Sequence, residues 1–221
     1  MKKITFIFLL IALLTSVSAQ QNDAVGTLAL QIEKKITPSF SAAIYSQIAF
    51  HENYSETGYA LFDLGLNYRL NSNFTLGVNY RILSLRNLEN NYDQRQFLYT
   101  DIAWSKGKGD FTLNVRSRYL TKFYGSHFSE TENFRLNRHY LRNKVLLKYE
   151  LNYTYSVFVA TEQIYRLDQL DKTEQMRYST GVNYRINTRN RFQLTFSISE
   201  QVNKKYPDTN YTTGLTYYYK F

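Results

Sequence analysis

The chain has 221 residues, no Cys and a formal charge of +9 at pH 7, which excludes a disulfide framework and any thiolate metal site. Its 21 Tyr and 15 Phe against only 2 Pro suit β-structure and the aromatic girdles of membrane barrels. Lys and Arg are scattered at alternate positions instead of clustered, so the positive balance does not point to nucleic acid.

In chain order, Lys2 and Lys3, the apolar run Ile4 to Leu14 and the small residues Val17-Ser18-Ala19 read as a secretory signal peptide spanning 1–19. The apolar run is well short of the ~20 residues that cross a bilayer as a helix. No Cys follows the cleavage site, which excludes a lipoprotein anchor. Residues 20–221 then form one domain, with a charge of +7 once Lys2 and Lys3 are removed.

Eleven segments of alternating character follow, near 26–36, 40–51, 58–70, 74–84, 96–105, 111–122, 139–151, 155–166, 176–186, 192–202 and 211–221. Their connections alternate in length. Thr37-Pro38-Ser39, Asn71-Ser72-Asn73, Lys106 to Asp110, Asn152-Tyr153-Thr154 and Asn187 to Asn190 are short. Around 52–57, 85–95, 123–138, 167–175 and 203–210 they are longer and polar. Tight turns at one end and long loops at the other predict an antiparallel, up-and-down transmembrane β-barrel of the outer-membrane type, with short periplasmic turns and longer extracellular loops. The mean hydropathy of −0.45 fits, because half of every strand faces a polar lumen. A soluble up-and-down barrel is the alternative, and it would turn the apolar face inward.

Near-copies of one pattern recur at Gly65-Leu-Asn-Tyr-Arg-Leu70, Gly77-Val-Asn-Tyr-Arg-Ile82 and Gly181-Val-Asn-Tyr-Arg-Ile186. A longer unit repeats as well, since Asp63 to Arg81 parallels Asp101 to Arg118. Irregular spacing marks these as hairpins of one sheet, not as a solenoid. The last segment, Tyr211 to Phe221, puts Tyr217, Tyr219 and Phe221 on one face and Lys220, Tyr218, Thr216 and Gly214 on the other. A strand that ends on an aromatic in this way resembles the closing strand of outer-membrane barrels. The resemblance implies outer-membrane lipid and the barrel-insertion machinery as partners, with Tyr217, Tyr219 and Phe221 as the assembly signal.

A barrel with both termini in the periplasm has an even number of strands, and eleven segments conflict with that. The expectation is therefore ten to twelve strands: either 26–36 does not pair as a full strand, or one strand is hidden in a long loop such as 123–138.

Carrying the strand phase along the chain places Arg69, Arg81, Arg116, Arg118, Arg142, Lys144, Lys148, Arg177 and Arg185 inward. Asp63, Asp101, Glu150 and Glu162, with Glu33, join them. On the lipid face each charge would cost roughly 2–4 kcal/mol at the bilayer midplane. Two readings of this network stand: Arg–carboxylate pairs that fill the lumen of a structural or passive barrel, or a narrow anion-selective pore, since bases outnumber acids. A lipid-modifying enzyme needs a rim His beside a Ser, and Ser126, His127 and His51 are the candidates, without a readable third partner. No cofactor motif and no metal-ligand spacing is present.

The run Arg116-Ser-Arg118, then Arg135, Arg142 and Glu162, then Arg177-Tyr-Ser-Thr-Gly-Val-Asn-Tyr184 and the aromatic terminus, resembles the domain-of-unknown-function family 2490. That resemblance, clearest from Asp63 to Phe221, implies an outer-membrane β-barrel of Gram-negative bacteria and no particular activity. The chain departs from the family in its first strand, which lacks a Trp; Trp104 is its only one.

Overall fold

The computed structural model describes residues 24–87, 91–124, 135–168, 172–203 and 207–221, with the backbone alone at 124 and 135–137. The signal segment 1–19 and the rim candidates Ser126 and His127 lie outside the described residues.

Eleven strands are described: β1 (Ala24–Lys35), β2 (Phe40–His51), β3 (Glu56–Arg69), β4 (Phe74–Arg86), β5 (Tyr92–Lys108), β6 (Phe111–Tyr124), β7 (Arg135–Glu150), β8 (Tyr155–Arg166), β9 (Lys172–Arg185), β10 (Asn190–Gln201) and β11 (Thr209–Lys220). They close into one barrel, each strand pairing with its neighbours in sequence. All these pairs are antiparallel except the seam, where β1 and β11 run parallel from Ala24↔Tyr211 to Glu33↔Lys220. This seam corrects the even-number argument. The segment near 26–36 is a full strand, hydrogen-bonded to both β2 and β11. A parallel pair closes the cylinder as completely as an antiparallel one and leaves no open edge. It also puts the ends of the described chain at opposite rims: β1 enters at the rim of the longer connections, and β11 leaves at the rim of the short turns.

The short turns share a local cause. Leu70, Leu151 and Ile186 each donate their backbone N–H to the carbonyl four residues on, at 2.9–3.0 Å, and Ile36 does the same to Phe40. The residue after each aliphatic caps the turn with its side chain. Asn71 Oδ1 accepts from the N–H of Asn73 and of Phe74, both at 2.9 Å. Asn152 and Asn187 repeat this geometry at 2.8–2.9 Å, and Thr37 Oγ1 takes one such bond at 3.0 Å. These side chains satisfy backbone donors that a two-strand reversal strands.

Three strands outrun their sequence signal at the other rim. β5 begins at Tyr92, β7 at Arg135 and β9 at Lys172, about four residues before alternation becomes readable. The extra residues are mostly polar, Leu136 excepted, which is what a strand rising out of the lipid into water requires, and alternation then vanishes.

The barrel is inverted relative to a soluble protein. Its buried residues include Asp63, Arg118, Glu162, Asn183, Ser197 and Ser199, while Leu28, Leu64, Leu66, Val78, Ile102, Val159, Val182 and Leu194 are exposed. Every one of the latter lies on the outward phase. Near the short-turn rim this apolar band ends in aromatic pairs, Phe111–Tyr149 (4.7 Å between centroids), Tyr155–Tyr184 (5.3 Å), Phe192–Tyr217 (5.0 Å) and Tyr219–Phe221 (4.6 Å). Such a girdle matches the lipid–water interface of a membrane barrel. Single Cys residues at Leu64, Leu66, Val182 and Leu194 should therefore react with a lipid-partitioning reagent. Cys at Asn67, Arg69, Asn183 and Gln193 should not; the reverse pattern would mean a one-residue slip of the whole sheet.

Register explains the Gly-x-Asn repeat. Gly65 pairs with Asn79 and Asn67 with Gly77, so each Asn amide lies over the partner strand's glycine. A Cβ on Gly77 would stand 2.9 Å from Asn67 Oδ1, and one on Gly65 would clash with Asn79 Oδ1. At the third copy Asn183 Nδ2 donates to Ser156 Oγ at 3.2 Å, and the buried Phe158 ring covers Gly181. A Cβ there would meet the ring at 2.6 Å and also the Leu194 carbonyl oxygen. Backbone cannot step aside as a side chain can, so Gly181→Ala should destabilise the barrel by about 2–3 kcal/mol, read from urea unfolding in lipid. No loss of stability would contradict this packing.

Candidate functional site

The lumen carries its charge in tiers, and the middle tier is the candidate site. The repeated hairpins build half of it. Asp63 on β3 pairs directly across the ladder with Arg81 on β4, and Asp101 on β5 with Arg118 on β6. Both contacts are two-pronged: Arg81 Nε and Nη2 donate to Asp63 at 2.7 Å each, and Arg118 Nε and Nη2 donate to Asp101 at 2.7 and 2.8 Å. A planar guanidinium matches a carboxylate in this geometry, which fixes both side chains along the wall. Tyr99 joins the two pairs. Its hydroxyl donates to Asp63 Oδ2 at 2.7 Å, and the Arg118 guanidinium lies 3.8 Å from its ring centroid.

Glu162 on β8 organises the other half. Arg116 donates to its Oε1 at 2.9 Å and Arg142 to its Oε2 at 2.8 Å. Arg177 stands 3.6 Å from Oε2 and turns its Nε to Ser199 Oγ at 2.9 Å. Lys144 lines the same wall, and among the described residues it makes no ion pair or hydrogen bond. One carboxylate thus faces four cations.

The belt surrounds a cavity of about 610 Å³ lined by residues of all eleven strands. Arg81, Arg116, Arg118, Arg142, Lys144 and Arg177 contribute six cations to its wall, and Asp63, Asp101 and Glu162 three carboxylates. Three positive charges are left over, and they gather on β6 to β9 around Glu162. The wall formed by β10, β11, β1 and β2 carries no charge in this cavity. There Tyr45 Oη donates to Gln47 Oε1 at 2.6 Å, Gln47 Nε2 reaches Tyr59 Oη on β3 at 2.8 Å, and Tyr218 Oη donates to Gln193 Oε1 at 2.8 Å. The Arg191 guanidinium of β10 stacks over the Tyr218 ring at 4.0 Å but lies outside the cavity lining.

A second tier lies at the short-turn rim. Lys148 Nζ donates to Glu150 at 2.5 Å, Arg185 stands 3.7 Å from the same carboxylate, and Lys220 Nζ meets Glu33 at 2.9 Å. Arg69 lines a separate cavity of about 140 Å³ at this rim. Gln31 and Asn67 line both cavities and so lie where the two meet. At the opposite rim Arg86 pairs with Glu56, and Arg166 Nε donates to Asp168 at 2.8 Å. That bond holds the exposed Asp168 carboxyl below the usual carboxylate range.

Strand phase places all the ionisable residues expected inward on the lumen side, but in separate tiers and not as one network. Asp63, Arg81, Asp101, Arg116, Arg118, Arg142, Lys144, Glu162 and Arg177 come together at the belt, while Arg69, Lys148, Glu150 and Arg185 do not join it. Charge alone fails to flag Tyr99, which alternation could have placed, or the uncharged wall. His51 packs against Gly58, with its ring edge-on to Tyr59 at 5.9 Å between centroids. His139 lies on the outward face, its Nδ1 2.8 Å from Tyr119 Oη. The side chain of Arg135 lies outside the described residues.

One family model, described as protein of unknown function (DUF2490), matches residues 28–210. No curated protein matches the chain. Among solved structures, the CymD monoaromatic hydrocarbon channel is similar at a TM-score of 0.49 and 8% identity, over 86% of this chain and 71% of that one. The Ralstonia pickettii toluene transporter TbuX is similar at a TM-score of 0.38 and 10% identity, over 79% of this chain and 61% of that one.

Proposed function

The chain belongs to this family of unknown function, DUF2490, and for it we propose an integral outer-membrane β-barrel with a narrow lumen selective for small anions. Short turns face the periplasm, the longer connections face outward, and the aromatic end of β11 serves as the signal for barrel insertion. The observation that carries the selectivity is the excess of three cations at mid-lumen, where six face three carboxylates across a cavity of about 610 Å³. Within a low-dielectric wall such an excess attracts anions and repels cations. The Arg–carboxylate pairs hold the charged side chains against the wall and leave the centre to solvent, so the barrel is passive and narrow. A monoaromatic hydrocarbon entering this space would displace water from charged groups without replacing its hydrogen bonds, an unfavourable exchange. Cell fractionation should recover the protein with the outer membrane, released only by detergent. Liposomes bearing it should admit small organic anions faster than cations of equal size. Recovery as a soluble protein, or equal rates for the two charges, would contradict the proposal.

A further inference from the structure

The geometry points to the mid-lumen cavity as a binding site for a hydroxylated organic anion of saccharide size. Its acidic group is held by Arg116, Arg142 and Lys144, and its hydroxyls by the uncharged wall opposite. This rests on the anion-admitting lumen proposed above and adds the class of solute.

The acidic end follows from donor counting. Arg116 and Arg142 each commit one Nη to Glu162, and among the described residues the Nε of both is buried without an acceptor. The Lys144 ammonium meets no acceptor among the described residues. Buried donors are ordinarily satisfied, and one carboxylate offers too few lone pairs for this set. A carboxylate or phosphate group brings the missing acceptors and the missing negative charge together.

The hydroxylated body follows from the other wall. Attraction of simple anions by the cations of β6 to β9 asks nothing of the wall opposite. Here β10, β11, β1 and β2, with Tyr59 of β3 beside them, present amides, hydroxyls and tyrosine rings, already aligned in the Tyr45–Gln47–Tyr59 chain and the Tyr218–Gln193 pair. Such groups both donate and accept, as sugar hydroxyls do, although the Tyr218 ring already carries the Arg191 guanidinium, 4.0 Å from its centroid. The cavity of about 610 Å³ lies within the range of pockets that enclose small organic ligands.

Calorimetric titration of the full-length, detergent-purified protein tests this with four probes: glucuronate, glucose 6-phosphate, inorganic phosphate and glucose. The two sugar anions should bind saturably and about tenfold more tightly than inorganic phosphate, with glucose weakest. Lys144→Gln, which removes no hydrogen bond or ion pair among the described residues, should weaken both sugar anions about tenfold. Gln193→Ala should erase their advantage over phosphate while leaving phosphate affinity unchanged. Phosphate binding as tightly as the sugar anions would overturn the saccharide class, and glucose binding as tightly would overturn the role of the cations. Anion-selective current in a bilayer without saturable binding would overturn the site alone and leave the permeation proposal standing. Absence of both would overturn the two together.

Discussion

Glu162→Gln should lower the stability of the folded barrel by about 3 kcal/mol, the scale on which removing one partner strands a buried charge. Arg116, Arg142 and Arg177 all point at this carboxylate, which is 5% exposed. The amide keeps its shape and removes its charge, so four cations then face one another across the cavity. Arg142→Gln should cost less, because Glu162 would still hold Arg116 and Arg177 and the local excess would fall. Added phosphate should restore part of the loss in Glu162→Gln by supplying the missing charge, and should do little for Arg142→Gln. Urea unfolding in lipid, with and without phosphate, reads both effects. Equal losses in the two variants would contradict a Glu162-centred cluster.

Leu194→Arg should be the most damaging surface change, costing about 2–4 kcal/mol at mid-depth in the bilayer. Leu194 is 53% exposed and sits in a lipid-facing row with Leu215 and Val182. One residue on, Thr195 lines the cavity instead, paired with Gly181 and Gly214 on the neighbouring strands. Thr195→Arg should leave stability nearly unchanged and raise the preference for anions. Comparable losses at these adjacent positions would mean that the phase of the sheet carries no energetic weight, which excludes a membrane setting.

Much of this is legible in the sequence itself. Alternation alone put Asp63, Arg81, Asp101, Arg118 and Glu162 on one face and Leu64, Val182 and Leu194 on the other, because period two is a local property of every strand. The hairpin repeat foretold that Asp63 with Arg81, and Asp101 with Arg118, occupy equivalent places. Which cation meets which carboxylate across the barrel depends on closure, a long-range property. The convergence of Arg116, Arg142 and Arg177 on Glu162 had therefore no local signature. The parity of the strands misled for the same reason: nothing within 26–36 announces a parallel partner almost two hundred residues away. The neutral wall went unseen because Tyr, Gln and Thr on an inward face look ordinary until they line one side of a cavity.

An excess of positive charge at mid-lumen should make this barrel selective for anions. Reversal potential in planar bilayers under a salt gradient tests it most directly. Small currents that reverse toward the anion equilibrium potential are predicted, with selectivity reduced in Lys144→Gln and enlarged in Glu162→Gln. Large ohmic channels that prefer cations, or a selectivity indifferent to both substitutions, would contradict the account.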